Sequence, residues 1–505
     1  MKRILVSLLA AGALLSCEKA SQLEVIPAPN SVETNLRLCK IGTNVSASED
    51  LQAEAACLTE AMASWSGQKG KVVLSTDSSL AEEEYELTVK CGNISIKGGS
   101  PTGVFYGIQT LIQEAEAYGG KAVTGTIKDA PEYSWRGYML DESRHFFGEK
   151  SVKEIIDFMA RYKLNKFHWH LTDAPGWRIE IKAYPELTTI GAKGDLHVPD
   201  GPAAFYTQDQ IREIVAYAAQ KHIEVIPEID MPGHVSSANR AYPELGVGDK
   251  PGSFTYNPGK EEVYVFVANV LKEVADLFPS EYLHFGGDEV ALGNNGWADD
   301  PYIKALMKRE GYTDIKEAEA YFHKRLAPII HGLGKKMIGW DDILDLPGEK
   351  QADALTWWRH ERPDHLSDGQ DQGYEMILCP RLPLYFDFVQ DSTHTSGRKW
   401  YTDGAYCPLD FVYQFPECLS EGWNKGGVIG MQANLWTETL RTPKRVQFMT
   451  FPRIGALAED CWTSASNKNY DSFTSRLEKE YALYDQLGIY YCDYRNLDNH
   501  PEVKD

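Results

Sequence analysis

Acidic and aromatic side chains recur in this sequence at one kind of place, the C-terminal end of a short apolar run. Asp141 with Arg144 follows one run and Asp173 the next. Glu228 with Asp230, Asp288 with Glu289, Trp340 with Asp341, Trp358, and Trp436 with Glu438 follow others. Carboxylates and Arg exchange directional hydrogen bonds with hydroxyls, and flat indole faces pack against the C–H surface of a sugar ring, so the combination points to a carbohydrate ligand. Cleaving a glycosidic bond requires a carboxylic acid that protonates the leaving oxygen and a group that stabilises the oxocarbenium-like centre. Asp288-Glu289 supplies two carboxyls side by side. Neighbours on a strand point to opposite faces, so these two cannot simply face each other as acid and nucleophile, although a turn immediately after the strand could aim both at a ligand.

The elements that must position these residues are legible from periodicity. From about residue 132 the chain alternates apolar runs, at 136–141, 166–173, 222–230, 282–289, 336–341, 354–359, 375–379 and 427–436, with helical segments. Two early helices carry capping-box signals, Ser151 with Glu154 and Thr207 with Gln210, each before apolar residues at helical spacing. Eight strand–helix repeats predict an α/β fold of the (β/α)8 TIM-barrel class, in which all the strand ends converge on one face and scattered positions become one pocket. Residues 21–130 read differently, as a small α+β N-terminal domain. Tyr85–Val89 and Asn93–Lys97 alternate like strands, and Gly98-Gly99 turns into an amphipathic stretch that begins at Pro101. Trp135 and Trp169 are expected in the core, whereas Trp340, Trp358 and Trp436 are assigned to the pocket.

Composition narrows the partners. The 505 residues are 43% hydrophobic and 25% charged, with 12 Trp, 27 Tyr and 18 Phe, which excludes a disordered chain. A net charge of −22 repels phosphate backbones and argues against nucleic acid. Lys2 and Arg3, an apolar run from Ile4 to Leu15 and then Ser16-Cys17 are too short to span a bilayer and are laid out as a signal peptide. Leu14-Leu15-Ser16-Cys17 resembles a bacterial lipobox. The expected organisation is therefore a lipoprotein signal peptide at 1–16, a lipidated Cys17 that begins a small domain ending at 131, and a catalytic barrel with a C-terminal helix at 132–505. Eight cysteines remain, three before residue 130 and five after it, and their spacing fixes neither a pairing nor a metal site.

Several of these stretches carry a family resemblance. They are His284-Phe-Gly-Gly-Asp-Glu289, Trp135-Arg-Gly with Asp141-Glu-Ser-Arg144, Phe167-His-Trp-His-Leu-Thr-Asp173, Pro227-Glu-Ile-Asp-Met-Pro-Gly-His234 and Gly430-Met-Gln-Ala-Asn-Leu-Trp436-Thr-Glu438. In this order they resemble family 20 glycoside hydrolases, the exo-acting β-N-acetylhexosaminidases, over essentially the whole mature chain. The resemblance implies hydrolysis of terminal β-linked GlcNAc, or GalNAc, from an oligosaccharide or glycoconjugate by substrate-assisted retaining catalysis, in which the 2-acetamido oxygen attacks the anomeric carbon. It implies no cofactor and no metal. Glu289 would be the general acid and then the base, Asp288 would hold the acetamido N–H and stabilise the oxazolinium-like charge, and Tyr385 would bond the acetamido oxygen. Asp173 and His234 would orient Glu289. Trp340, Trp358 and Trp436 would wall the pocket, while Arg144, Asp387 and Glu438 would hold the outer hydroxyls. Trp358 is preferred to its neighbour Trp357 because Arg359 follows it. Ala174 stands where the family usually has a second Asp, which puts the local support of Asp173 in question. The implied location is the cell envelope, with contact to the outer membrane through the lipid anchor only.

Two other readings compete. His168-x-His170, with His234, His284 and several Asp, could make a metal-dependent barrel hydrolase. A lipid-anchored protein that binds glycans without turnover would use the same aromatic pocket, but it would not require a positioned acid such as Glu289.

Overall fold

The computed structural model describes residues 18–63, 65, 68–399 and 406–504, so the segment expected to be a signal peptide and Cys17 lie outside the described residues. The N-terminal unit holds six strands: β1 (Ser31–Lys40), β2 (Gly42–Ser46), β3 (Gln68–Thr76), β4 (Tyr85–Lys90), β5 (Asn93–Gly98) and β6 (Lys121–Asp129). They form one mixed sheet in the order β1-β6-β4-β5-β3-β2. The turn expected at Gly98-Gly99 leads into the helix Pro101–Ala117, where Ser100 caps the Thr102 N–H and Pro101 occupies the first turn, where its missing N–H costs nothing. Cys39 and Cys91 form a disulfide in this unit; Cys379, Cys407, Cys418, Cys461 and Cys492 are free thiols in the barrel unit. Ile26–Asn30 groups with the barrel, so among the described residues the N-terminal unit consists of 18–25 together with Ser31–Asp129. Among the described residues no helix is long and apolar enough to cross a membrane.

The second unit is a closed parallel barrel. Its strands are β7 (Trp135–Asp141), β8 (Lys166–Thr172), β9 (Glu224–Ile229), β10 (Tyr282–His284), β11 (Lys336–Trp340), β12 (Ala354–Trp357), β13 (Glu375–Leu378) and β14 (Val428–Leu435). Each falls within or against one of the eight apolar runs. Trp135, Ile226, Tyr282, Ile338, Ala354 and Ile377, one from each of six strands, pack into a buried layer, with Trp135 edge-on to Tyr282. Truncating such a ring to Ala typically costs about 3–5 kcal/mol. The parallel register pairs His168 with Ile226 and His170 with Glu228, so the strand residues nearer the C-terminal ends are polar where the layer below is apolar.

The two capping signals fared differently. Thr207 and Gln210 form the full box at the start of the helix Gln208–Ala219. Ser151 and Glu154 do not: the helix Glu149–Arg161 starts three residues earlier than they predict, from Gly148 with φ 80° and no side-chain cap. Glu142 Oε1 accepts the N–H groups of Phe147 and Gly148, which fixes the turn just before the helix, and Glu154 is engaged by Gln447 rather than by Ser151.

Candidate active site

The geometric difficulty of two adjacent carboxyls is resolved by where β10 stops. The strand ends at His284 rather than continuing to Glu289, and the chain turns through Gly286 (φ 74°), Gly287 (φ 89°) and Glu289 (φ 50°). Positive φ at consecutive positions requires glycine for a relaxed backbone. A Cβ on Gly286 would also lie 1.9 Å from Asp230 Oδ1. Released from the pleat, Asp288 and Glu289 both line a single pocket, with Arg144, Trp340, Trp358, Tyr385, Arg398, Trp436 and Glu438.

Beneath the carboxyls runs a chain of alternating acids and imidazoles. Glu228 Oε2 lies 2.5 Å from His170 Nδ1, and His170 Nε2 lies 3.1 Å from Asp173 Oδ2. Asp173 Oδ1 meets His234 Nδ1 at 3.0 Å, and His234 Nε2 approaches Glu289 at 3.4 Å and Asp288 at 3.6 Å. Arg144 joins from the side, 2.6 Å from Asp173, with Asp141 receiving its other amino group at 3.2 Å. Ala174, where the family's second Asp is missing, contributes through its backbone. Its N–H donates to Asp173 Oδ1, and Arg240 holds its carbonyl.

The walls are aromatic and each ring is anchored. The Trp340 indole donates to Glu228 at 2.9 Å and Trp358 donates to Asp342 at 2.7 Å. Tyr385 stacks on Trp358 with planes 13° apart, and the Arg144 guanidinium lies 4.8 Å from the centre of the Trp436 ring. Trp357, by contrast, is buried outside this set and donates to the Arg362 carbonyl. Trp135 and Trp169 are core residues.

Sequence comparison decides the family. Residues 133–465 match the "Glycosyl hydrolase family 20, catalytic domain", and residues 22–130 match its "domain 2". The chain belongs to glycosyl hydrolase family 20. A β-hexosaminidase of Porphyromonas gingivalis is 37% identical over 84% of this chain, which spans only 56% of that protein. A β-hexosaminidase of Vibrio furnissii is 34% identical, covering 87% of this chain and 76% of its own. Among solved structures, the exo β-N-acetylglucosaminidase of Vibrio harveyi in complex with N-acetylglucosamine superposes with TM-score 0.83 at 32% identity, covering 93% and 78% of the two chains. The β-N-acetylhexosaminidase of Bacteroides fragilis gives 0.81 at 30% identity, covering 92% and 96%. The chain is a glycoside hydrolase by this membership, and its (β/α)8 barrel is the family's catalytic domain.

Within the family 20 pocket the charges are unevenly held. Burial pushes the Asp288 carboxyl up to about 8, with Asp342 and Glu289 adding repulsion and His234 opposing it. The hydrogen bond from His234, helped by Arg144, draws Glu289 below the ordinary Glu value against its partial burial. Burial works against a charged His234, but Asp173 and Asp288 outweigh it and raise its pKa well above the usual imidazole range. The two adjacent carboxyls thus carry one proton between them near neutrality.

Asp387 is less open than its expected role suggests. It is buried, and Arg398 spans it and Glu438 at 2.9 and 3.2 Å. Burial lifts the Asp387 carboxyl to about 7 despite that cation. One oxygen each of Asp288, Asp387 and Glu438 has no hydrogen-bond partner among the described residues, so acceptors remain for a hydroxylated or N–H-bearing ligand. Sequence reasoning did not single out Arg398 or Asp342. Arg398 sits on a loop without a motif, while Asp342 follows a strand-end residue and could have been noticed by that rule.

The histidines weighed for a metal are otherwise committed. His168 Nε2, His170 Nδ1, His284 Nδ1 and the Trp340 N–H all lie within 3.2 Å of the two oxygens of Glu228, and His234 belongs to the Asp173 chain. They form the floor that holds Trp340 and the carboxyls in place.

Proposed function

We propose that this protein removes terminal, non-reducing β-linked N-acetylhexosamine from oligosaccharides or glycoconjugates by substrate-assisted, retaining hydrolysis. The observation that carries the reading is the turn that brings Asp288 and Glu289 together into one pocket walled by Trp340, Trp358 and Trp436. Facing carboxylates on opposite sides of a scissile bond would serve a two-carboxylate glycosidase; adjacent ones do not, and the substrate's own acetamido oxygen takes the nucleophile's place. Asp288 accepts the acetamido N–H and Tyr385 donates to the acetamido oxygen, directing that oxygen at the anomeric carbon. Glu289 gives its proton to the glycosidic oxygen as the C–O bond breaks and the oxazolinium-like ring forms. Glu289 then takes a proton from water, whose oxygen reopens the ring at the anomeric carbon and returns the product with retained configuration.

Asp288 balances the positive charge of the ring, an electrostatic contribution that gains strength in a water-poor pocket. Asp173 and His234 hold Glu289. Arg144, Glu438 and Asp387 meet the outer hydroxyls, with Arg398 setting the last two, which blocks the far end and makes cleavage exo. Release of 4-nitrophenol from its β-N-acetylglucosaminide by the folded, delipidated protein tests the activity; a folded protein without any turnover would refute it. A lipid anchor at Cys17 in the outer membrane belongs to the same proposal. Its support is the lipobox-like Leu14–Cys17 segment, and Cys17→Ala should abolish membrane fractionation and incorporation of a labelled fatty acid.

A further inference from the structure

Beside Arg144, away from the acid–imidazole chain, a second cluster of donors is not used by the proposed reaction. His145 Nε2 lies 3.0 Å from His197 Nδ1 and 3.9 Å from Asp195 Oδ1, and one ligand atom from each of the three residues falls within 4.8 Å of the others. We propose that His145, Asp195 and His197 form a binding site for a zinc-class divalent cation at the rim of the pocket.

The geometry suits such an ion. Two imidazoles on a tetrahedral zinc, with bonds of about 2.0–2.1 Å, have nitrogens about 3.3 Å apart, so the observed pair needs to open by only a few tenths of an ångström. The other nitrogen of His145 is spoken for. Nδ1 lies 2.7 Å from the Thr437 carbonyl, which can only accept, so Nδ1 carries the proton and Nε2 presents its lone pair. Metal-bound imidazoles are held in this way by outer partners. The Asp195 carboxylate is fixed alongside by the N–H groups of His197 and Val198 at 2.8 and 2.7 Å.

His145 is buried, Asp195 half-buried and His197 exposed, which gives an ion a route in and leaves its remaining position to water. Nitrogen and carboxylate donors of this kind favour zinc or its neighbours over calcium or magnesium. The bound ion would join His145 to the 195–198 loop. Leu196 N–H donates to the Arg144 carbonyl and His145 Nδ1 holds the Thr437 carbonyl, so the ligands tie that loop to the backbone of Arg144 and of Thr437, which lies between Trp436 and Glu438.

The test is zinc uptake by untagged, metal-free protein, followed by competition with a chromophoric chelator and by thermal melting with and without zinc. The wild-type chain should bind one equivalent and melt at a higher temperature with zinc. His197→Ala, which removes an exposed ring, should fold and melt like the metal-free wild type, lose binding by at least about a hundredfold and show no zinc-dependent shift. Asp195→Asn should weaken binding less, about tenfold. Absence of stoichiometric uptake by the wild type, or undiminished uptake by His197→Ala, would overturn the assignment. Neither outcome depends on catalytic activity.

Discussion

Asp288→Asn probes the shared proton directly. With one proton between the two carboxyls, turnover by the proposed route needs it on Glu289 and the negative charge on Asp288, an arrangement with the same proton count as the one burial favours. Hydrogen bonding of the acetamido N–H to Asp288 and the cation developing beside it pull the proton toward Glu289. kcat/KM should therefore be bell-shaped, falling above about pH 8 as the pair loses its last proton and falling in acid as it gains a second. In the Asn variant Glu289 titrates alone, still beside His234 and Arg144, so the alkaline limb moves below the ordinary Glu value of 4.5. At pH 7 Glu289 then seldom carries the catalytic proton, since occupancy falls tenfold per pH unit above the pKa.

The lost charge adds to this. A carboxylate about 4 Å from the oxazolinium-like cation is worth roughly 4 kcal/mol at an effective dielectric of 20, or about 10³ in rate. The assay is initial rates on N,N′-diacetylchitobiose between pH 4 and pH 10, because a sugar leaving group, unlike nitrophenolate, cannot depart without protonation. The expected result is a loss of at least about 10³ at pH 7 and no alkaline limb near pH 8. A variant that keeps the limb near pH 8, or loses less than about tenfold, would refute the shared-proton argument.

Glu289→Gln should lose at least about 10³ on the disaccharide and far less on the 4-nitrophenyl glycoside, and azide should give neither this variant nor Asp288→Asn an inverted glycosyl azide, as chromatography of the products would reveal. A thiazoline analogue of the cyclised intermediate should bind about 10² or more times tighter than GlcNAc by calorimetry, and mass spectrometry during turnover should find no glycosyl-enzyme; trapping one would make an enzyme carboxylate the nucleophile. Arg398→Ala should raise KM about tenfold with kcat within about threefold, because the cation that sets Asp387 and Glu438 against the outer hydroxyls is lost while Asp288 and Glu289 are untouched; an equal fall in kcat would place Arg398 in the chemical step.

Much of the barrel was written locally. Each of its strands is a short apolar run whose alternation survives without knowledge of its neighbours, and the Thr207–Gln210 cap needs only four consecutive residues. Failures occurred where the backbone or a distant group overrode the local pattern. The helix at Glu149 begins too early for Ser151 to cap it, and β10 stops five residues before the end of its apolar run, where the chain turns through positive φ at Gly286 and Gly287. Arg398 was invisible because its importance lies in touching Asp387 and Glu438, neither of which marks it in the chain.

Residue type and order by themselves determined the barrel class, the position of the chemistry at strand ends and the family, since motifs and hydrophobic periods are properties of the chain read along its length. Only the tertiary structure decided how Glu228, His170, Asp173, His234 and Glu289 connect into one chain, that Asp288 rather than Glu289 is the more deeply buried carboxyl, and that Cys39 meets Cys91. The physical reason is the same in each case. Hydrogen bonds, desolvation and charge coupling depend on distances through space, and those are set when the barrel closes.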